Sequence, residues 1–239
     1  MNELFANFGR IEKNDPEFHE IFKNFAYNEV FEYSTLTEKE SILVTLACLI
    51  ACQSPKAFKK ILLSALDMDI TPDEVKEVLY QSVPYVGFGR AHNFFGVVIK
   101  VFDKKGIELP LPSRSNTTPE NRHAEGRELQ ESYFGHENIE MMRNATPDGQ
   151  KHFNTFLEGF CFGDFYTRDG LDDKKRELIT FVFIATLGGC ENQLRGHTQG
   201  NLAVGNDKEK LISALTVIVP YIGFPRCLNA LGIVNEICD

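Results

Sequence analysis

A repeat constrains this chain more than any other feature. Residues 83–103 read VPYVGFGRAHNFFGVVIKVFD, and residues 219–239 read VPYIGFPRCLNALGIVNEICD; at a constant offset of 136 the two stretches share ten of 21 positions. The identities include Pro84 and Pro220, Tyr85 and Tyr221, Gly87 and Gly223, Arg90 and Arg226, and Asn93 and Asn229. Upstream at the same offset, Thr71-Pro-Asp-Glu pairs with Asp207-Lys-Glu-Lys, and Glu40-Ser-Ile-Leu matches Glu177-Leu-Ile-Thr once a one-residue gap is allowed. A duplication of this kind fixes the architecture as two copies of one supersecondary unit before any residue is given chemistry.

The copies read as helical. Glu40–Ala51 and Glu177–Leu187 are apolar nearly all round, as expected of helices enclosed by others. Thr71, Pro72 and the acids that follow form a helix start, with Asp207-Lys-Glu-Lys as its solvated counterpart. Pro220, Gly223 and Pro225 are expected to stop one helix and start the next within a few residues. No segment alternates with period two, so the expected class is all-α, with two tandem modules at 1–103 and 128–239. Residues 104–127, rich in Pro, Ser and Thr, are the expected exposed linker between them.

Composition excludes several functions. A net charge of −9 repels phosphate backbones, which argues against a nucleic-acid partner. No apolar run approaches the roughly 20 residues of a membrane span, and Met1–Gly9 lacks the pattern of a secretory signal, so no membrane partner and a cytoplasmic location are expected. The six cysteines, Cys48, Cys52, Cys161, Cys190, Cys227 and Cys238, are too sparse for a disulfide scaffold or a zinc site, so most are expected as reduced thiols and no metal centre is expected.

The second copy carries Glu177, Gly188-Gly189, Cys190, Gln193-Leu-x-x-His197, Asn201-Leu-x-x-Gly205 and Tyr221-x-Gly-Phe-Pro225. This string closely resembles the carboxymuconolactone decarboxylase family in its tandem form, over most of 172–239 and more weakly over 38–103. The resemblance implies two alkylhydroperoxidase D-like helical modules that assemble with other copies into a dimer, trimer or higher ring. It places Glu177 and His197 on the family's polar pair. It sets Cys190 where the peroxidase branch has the first cysteine of its Cys-x-x-Cys motif, with Gln193 in place of the second.

The implied reaction is loss of carbon dioxide from a small anionic lactone, with proton transfer by Glu177 and His197 and no cofactor. Gln193, Arg195, Tyr221 and Arg226 are the candidate substrate-binding residues, although the recurrence of arginine at 90 and 226 also suits a structural ion pair. One alternative is a thiol peroxidase using Cys190, which needs Cys161 or Cys227 as a resolving thiol because an amide at 193 cannot resolve a sulfenic acid. Another is a ring-forming protein that binds a small ligand without catalysis. Aligning Glu40 with Glu177 puts Lys60 at the His197 position, Lys56 at Gln193 and Gln53 at Cys190, which makes the first module a scaffold without the polar set. The histidines at 19, 92, 123, 136 and 152 have no matching partners and receive no function.

Overall fold

The computed structural model describes residues 10–239, so Met1–Gly9, on which the signal-peptide argument rested, lies outside the described residues. Among these residues there are no strands, and no helix is long and apolar enough to cross a membrane. A lead-in precedes each copy. The first comprises α1 (Arg10–Asn14), α2 (Pro16–Asn24), a π turn at Phe25–Glu29 and α3 (Val30–Glu32). Four helices follow: α4 (Glu38–Ala51), α5 (Pro55–Ala65), α6 (Pro72–Val86) and α7 (Phe88–Lys104). The second lead-in has α8 (Arg122–Phe134), α9 (His136–Ala145), α10 (Lys151–Phe156) and a π-helical stretch at Leu157–Tyr166. The second set of four is α11 (Asp173–Leu187), α12 (Glu191–Ala203), α13 (Lys208–Ile222) and α14 (Phe224–Cys238).

Local chemistry sets these boundaries. The Thr71 hydroxyl accepts from the Glu74 amide at 3.2 Å while the Glu74 carboxylate accepts from the Thr71 amide at 3.0 Å, a reciprocal cap on α6. Asp207 caps α13 by accepting from the Lys210 amide at 2.8 Å. The expected stop and restart occurs within a few residues: α13 runs through Pro220 and ends at Gly223, and α14 begins at Phe224 with Pro225 in its first turn, while α6 likewise runs through Pro84 and ends at Gly87. Near a helix end a proline forfeits one ladder bond, whereas the left-handed φ of +80° and +77° at these glycines redirects the chain.

The two halves share one core. Every residue of α4 from Ser41 to Ala51, and of α11 from Arg176 to Thr186, is buried. These two helices pack on each other at the centre. Each also packs across to the other half, α11 against α6 and α4 against α13, so the ends of α6 and α13 are delivered to the partner half. The segment expected as a linker is largely exposed yet pinned. Asn116 donates to the Thr167 carbonyl at 2.9 Å, Thr117 donates to the Gly163 carbonyl at 2.7 Å, and Arg114 pairs with Asp73. Behind it α8 lies flat on the π-helical stretch, where Gly126 and Gly163 leave no room for a Cβ.

Candidate active site

Glu177 sits in the second turn of α11 and is completely buried. A carboxylate there must have its lone pairs satisfied by protein. Its Oε2 lies 2.9 Å from His197 Nδ1 and its Oε1 lies 2.7 Å from the Tyr166 hydroxyl. His197 comes from α12, which approaches α11 closely because residue 200 is glycine: a Cβ there would fall 2.7 Å from Glu177 Oε2. Asn201 ties the two helices, donating to the backbone carbonyls of Glu177 at 3.0 Å and His197 at 2.7 Å. Asn206 orients it through Asn201 Oδ1 at 2.8 Å. The Asn201-Leu-x-x-Gly205 motif therefore works as a clamp on the polar pair.

The other imidazole nitrogen faces the first half of the chain. Tyr85, near the end of α6, places its hydroxyl 3.3 Å from His197 Nε2 and 2.8 Å from the Tyr166 hydroxyl. The Tyr85 and Phe134 rings stand edge-on to the imidazole, at centroid distances of 5.2 and 5.6 Å. Tyr166 also lies 2.9 Å from Thr180 Oγ1, which accepts from Gln81 at 3.2 Å. Gln81 in turn accepts from Arg176 at 3.2 Å, and Arg176 and Arg168 both bind the buried Glu77 carboxylate. A continuous polar chain thus runs from His197 across the boundary between the halves.

The electrostatics keep the hydroxyls protonated. Burial, then the neighbouring Cys161 and the Glu177 carboxylate, pushes the Tyr85 phenol well above its ordinary range. Burial and the charge of Glu177 do the same to Tyr166. Cys161, 3.7 Å from the Tyr85 hydroxyl, is pushed up to about 12 by burial and stays a thiol. With Nδ1 held by a carboxylate, Nε2 is left to exchange protons. Neutral His197 accepts from Tyr85. Protonated His197 donates to the Tyr85 oxygen, whose own hydrogen then turns to Tyr166.

Of the residues singled out in the sequence, Glu177 and His197 are brought together and the others are not. Gln193 lies one turn before His197 on α12 and is exposed, with no hydrogen bond to the Glu177–His197 pair. Arg195 is engaged bidentately by Glu236, at 2.8 and 2.9 Å. Cys190 caps α12 and borders a small cavity shared with Gly188, Arg226 and Asn229. Tyr221 belongs to the first half, where it meets Phe22 and Tyr27. All six cysteines are free thiols; Cys161 lies beside Tyr85, and Cys227 donates to the Leu215 carbonyl at 3.6 Å. Tyr85, Tyr166 and Phe134 were missed. The one signal for Tyr85 was its recurrence as Tyr221, and the duplication swaps the two tyrosines between halves.

The register of the first copy also needs correction. Glu40 is the third residue of α4, where it closes a capping box with Thr37 and pairs with Lys210. Glu177 is the fifth residue of α11. Helix ends Ala51 and Leu187, caps Thr71 and Asp207, and stops Gly87 and Gly223 all keep the offset of 136. That register puts Ser41 opposite Glu177 and Ile61 opposite His197, both buried. Lys60 is exposed on the outer side of α5. The polar pair of the second half is thus replaced by a hydroxyl and a hydrocarbon in the first.

Comparison with known proteins follows this duplication. The model of the carboxymuconolactone decarboxylase family matches twice, over residues 16–100 and 151–236. The 4-carboxymuconolactone decarboxylase of Acinetobacter baylyi is 25% identical over 118 residues, which cover 49% of this chain and 87% of that protein. A nitrosuccinic acid decarboxylase from Metarhizium robertsii is 29% identical over 121 residues, covering 48% and 82%. Each relative is spanned by about half of this chain, as single modules would be. A crystal structure from Burkholderia xenovorans, described as a gamma-carboxymuconolactone decarboxylase subunit, superposes with a TM-score of 0.57 at 18% identity, covering 98% of this chain and 93% of that one, and so shares the fold. With two family segments flanking one shared core, the chain belongs to the carboxymuconolactone decarboxylase family as a tandem, all-helical member.

Proposed function

We propose that the chain is a decarboxylase of a small anionic lactone or related carboxylated compound, with His197 as the proton-transfer group. The observation that carries this reading is the Glu177–His197–Tyr85 array: an imidazole fixed on one nitrogen by a buried carboxylate, and met on the other by a hydroxyl at the rim of the core. Both curated relatives are named as decarboxylases. In a γ-carboxylated unsaturated lactone, departure of carbon dioxide leaves an electron pair that spreads through the double bond onto the lactone carbonyl oxygen. That oxygen needs a hydrogen-bond donor, and the carbon must then be protonated. With substrate seated between His197 and Tyr85, protonated His197 supplies the proton through Nε2, Glu177 stabilises the imidazolium, and the Tyr85 hydroxyl turns from Tyr166 to donate to the oxyanion.

Glu177, Tyr166 and Thr180 are sealed from water, so substrate meets the site at the Tyr85 and His197 edge. The cavity of about 600 Å³ behind Tyr166 is lined by Glu125, Glu128, Asp172 and Asp173 and is the wrong sign for an anion. The reading includes self-association, supported by Phe88, Phe153, Phe156 and Phe224, which are left more than half exposed. The test is carbon dioxide release from 4-carboxymuconolactone and from a panel of small carboxylated lactones and nitro acids. Release with at least one member, abolished when His197 is replaced, is the expected result. No release from any member would overturn the proposal.

A further inference from the structure

Away from the Glu177 and His197 pair, the first copy holds a cavity of about 480 Å³ between α6, α7 and the segment that follows them. Its floor is Leu79, Val98 and Phe102, all buried. Tyr80 and Phe95 form its sides, with ring centroids 6.2 Å apart, and residues 109–111 form a strap along its rim. The strap is tied down on either side: the Ile107 amide donates to the Phe102 carbonyl at 2.9 Å, and Arg114 pairs with Asp73. The space beneath it is therefore part of the folded chain, and its size falls within the roughly 300–1,000 Å³ of small-molecule pockets.

Lys76 is the charged residue of this lining. Its ammonium donates to the Pro112 carbonyl at 3.3 Å and stands 5.5 Å from the centroid of the Tyr80 ring. A carbonyl satisfies one of an ammonium's donors and none of its charge. Among the described residues no carboxylate pairs with it, because the acids of α6 are taken: Asp73 by Arg114, Glu74 by Lys39, and Glu77 by Arg168 and Arg176. The Arg168 guanidinium, 4.7 Å from the same ring centroid, is neutralised by Glu77 and leaves Lys76 as the uncompensated charge. Asp103 and Glu108 line the adjoining cavity, which shares Ile99 and Leu109 with this one. An apolar cavity with one cation at its edge selects a hydrophobic tail with a single negative head.

The fold itself does not ask for these residues. At the offset of 136, Lys76, Tyr80, Phe95 and Phe102 become Ile212, Thr216, Leu231 and Cys238. The Thr216 hydroxyl turns back to the Ile212 carbonyl of its own helix at 2.8 Å, and α13 and α14 pack on each other as α6 and α7 do. The helix pair is thus built in the second copy without the cation and without the rings. We propose that the cavity of the first copy binds a small apolar monocarboxylate of about the size of phenylpropanoate, its tail between Tyr80 and Phe95 and its carboxylate on Lys76. This site is separate from Glu177 and His197.

The test is isothermal titration calorimetry of the full-length protein with phenylpropanoate, phenylpropanol and phenylpropylammonium, which share a tail and differ in the charge of the head. The expected result is saturable binding of the carboxylate, about 10-fold or more tighter than either companion, as for a hydrogen bond to a charged group. Lys76→Met keeps the length of the stem and removes the charge, and is expected to bring the carboxylate down to the level of the alcohol. Ile99→Glu, at an exposed rim position, is expected to weaken the carboxylate as well by adding a negative charge at the mouth. His197→Ala is expected to bind it unchanged. The comparison of the three heads on the unmodified chain decides even if a variant fails to fold. No saturable binding of the carboxylate, equal binding of all three heads, full affinity in Lys76→Met, or binding lost in His197→Ala would each overturn the proposal. So would binding that disappears as protein concentration is raised, the mark of a second copy occupying this face. None of these measurements uses decarboxylation, so the outcome is independent of the first site.

Discussion

Replacing His197 with alanine is expected to lower decarboxylation by about 10²–10⁴-fold, the range for losing a positioned general acid. The fold should survive, because the ring is edge-packed between Tyr85 and Phe134 and its loss opens toward solvent, where the side chain is already 13% exposed. Lys60→Ala is expected to leave the rate nearly unchanged, since Lys60 is exposed on α5 and the first-copy equivalent of His197 is the buried Ile61. Steady-state kinetics on whichever substrate is turned over checks the pair. Equal, severe losses would mean that α5 contributes to the site after all.

The largest stability effect is expected far from the reacting atoms, at Glu77. Its carboxylate is completely buried and receives Arg168 at 2.9 Å and Arg176 at 3.0 Å, themselves 8% and 0% exposed. Glu77→Ala leaves two guanidinium groups in the interior with their main anion removed, and Arg176 Nε already lacks a partner. Breaking a buried pair in this way costs about 3–5 kcal/mol. For a chain of this length that is a fall in Tm of about 6–20 °C, measurable by calorimetry or circular dichroism. Glu77→Gln, which keeps the shape and accepts one hydrogen bond, should fall between. Because Arg176, Gln81, Thr180 and Tyr166 lead on to Glu177, the alanine variant should also lose activity below its Tm.

Much of this was legible in the residues. The offset of 136 announced two copies, the all-round apolar pattern of Glu40–Ala51 and Glu177–Leu187 announced two central helices, and both are buried along nearly their whole length. Glu177 and His197 were legible as a pair through the motif that also contains Asn201, whose two backbone hydrogen bonds explain why an amide stands there. What stayed hidden depends on how the copies interlock. Tyr221 lies in the same copy as His197 and looked like its neighbour, but α6 and α13 cross over, so Tyr85 fills that place. Glu40 looked like Glu177 because both precede a similar apolar run. One is a capping residue and the other a buried base partner, a difference of one position that only helix register decides. Arg195 shares a helix with His197 but not a face, and Gln193, one turn before His197, stands at the exposed start of that helix.

One site completed by a tyrosine from the other half is the centre of the proposed chemistry, and the pair Tyr85→Phe and Tyr221→Phe tests it most directly. Each removes a single hydroxyl from equivalent positions of the repeat, with little change in packing. The measurement is kcat for carbon dioxide release by the two full-length variants beside the unmodified chain, with Tm followed in parallel. The prediction is a loss of about 10–100-fold for Tyr85→Phe and a rate near that of the unmodified chain for Tyr221→Phe. A Tyr85→Phe variant as fast as the unmodified chain, or a Tyr221→Phe variant equally impaired, would contradict it.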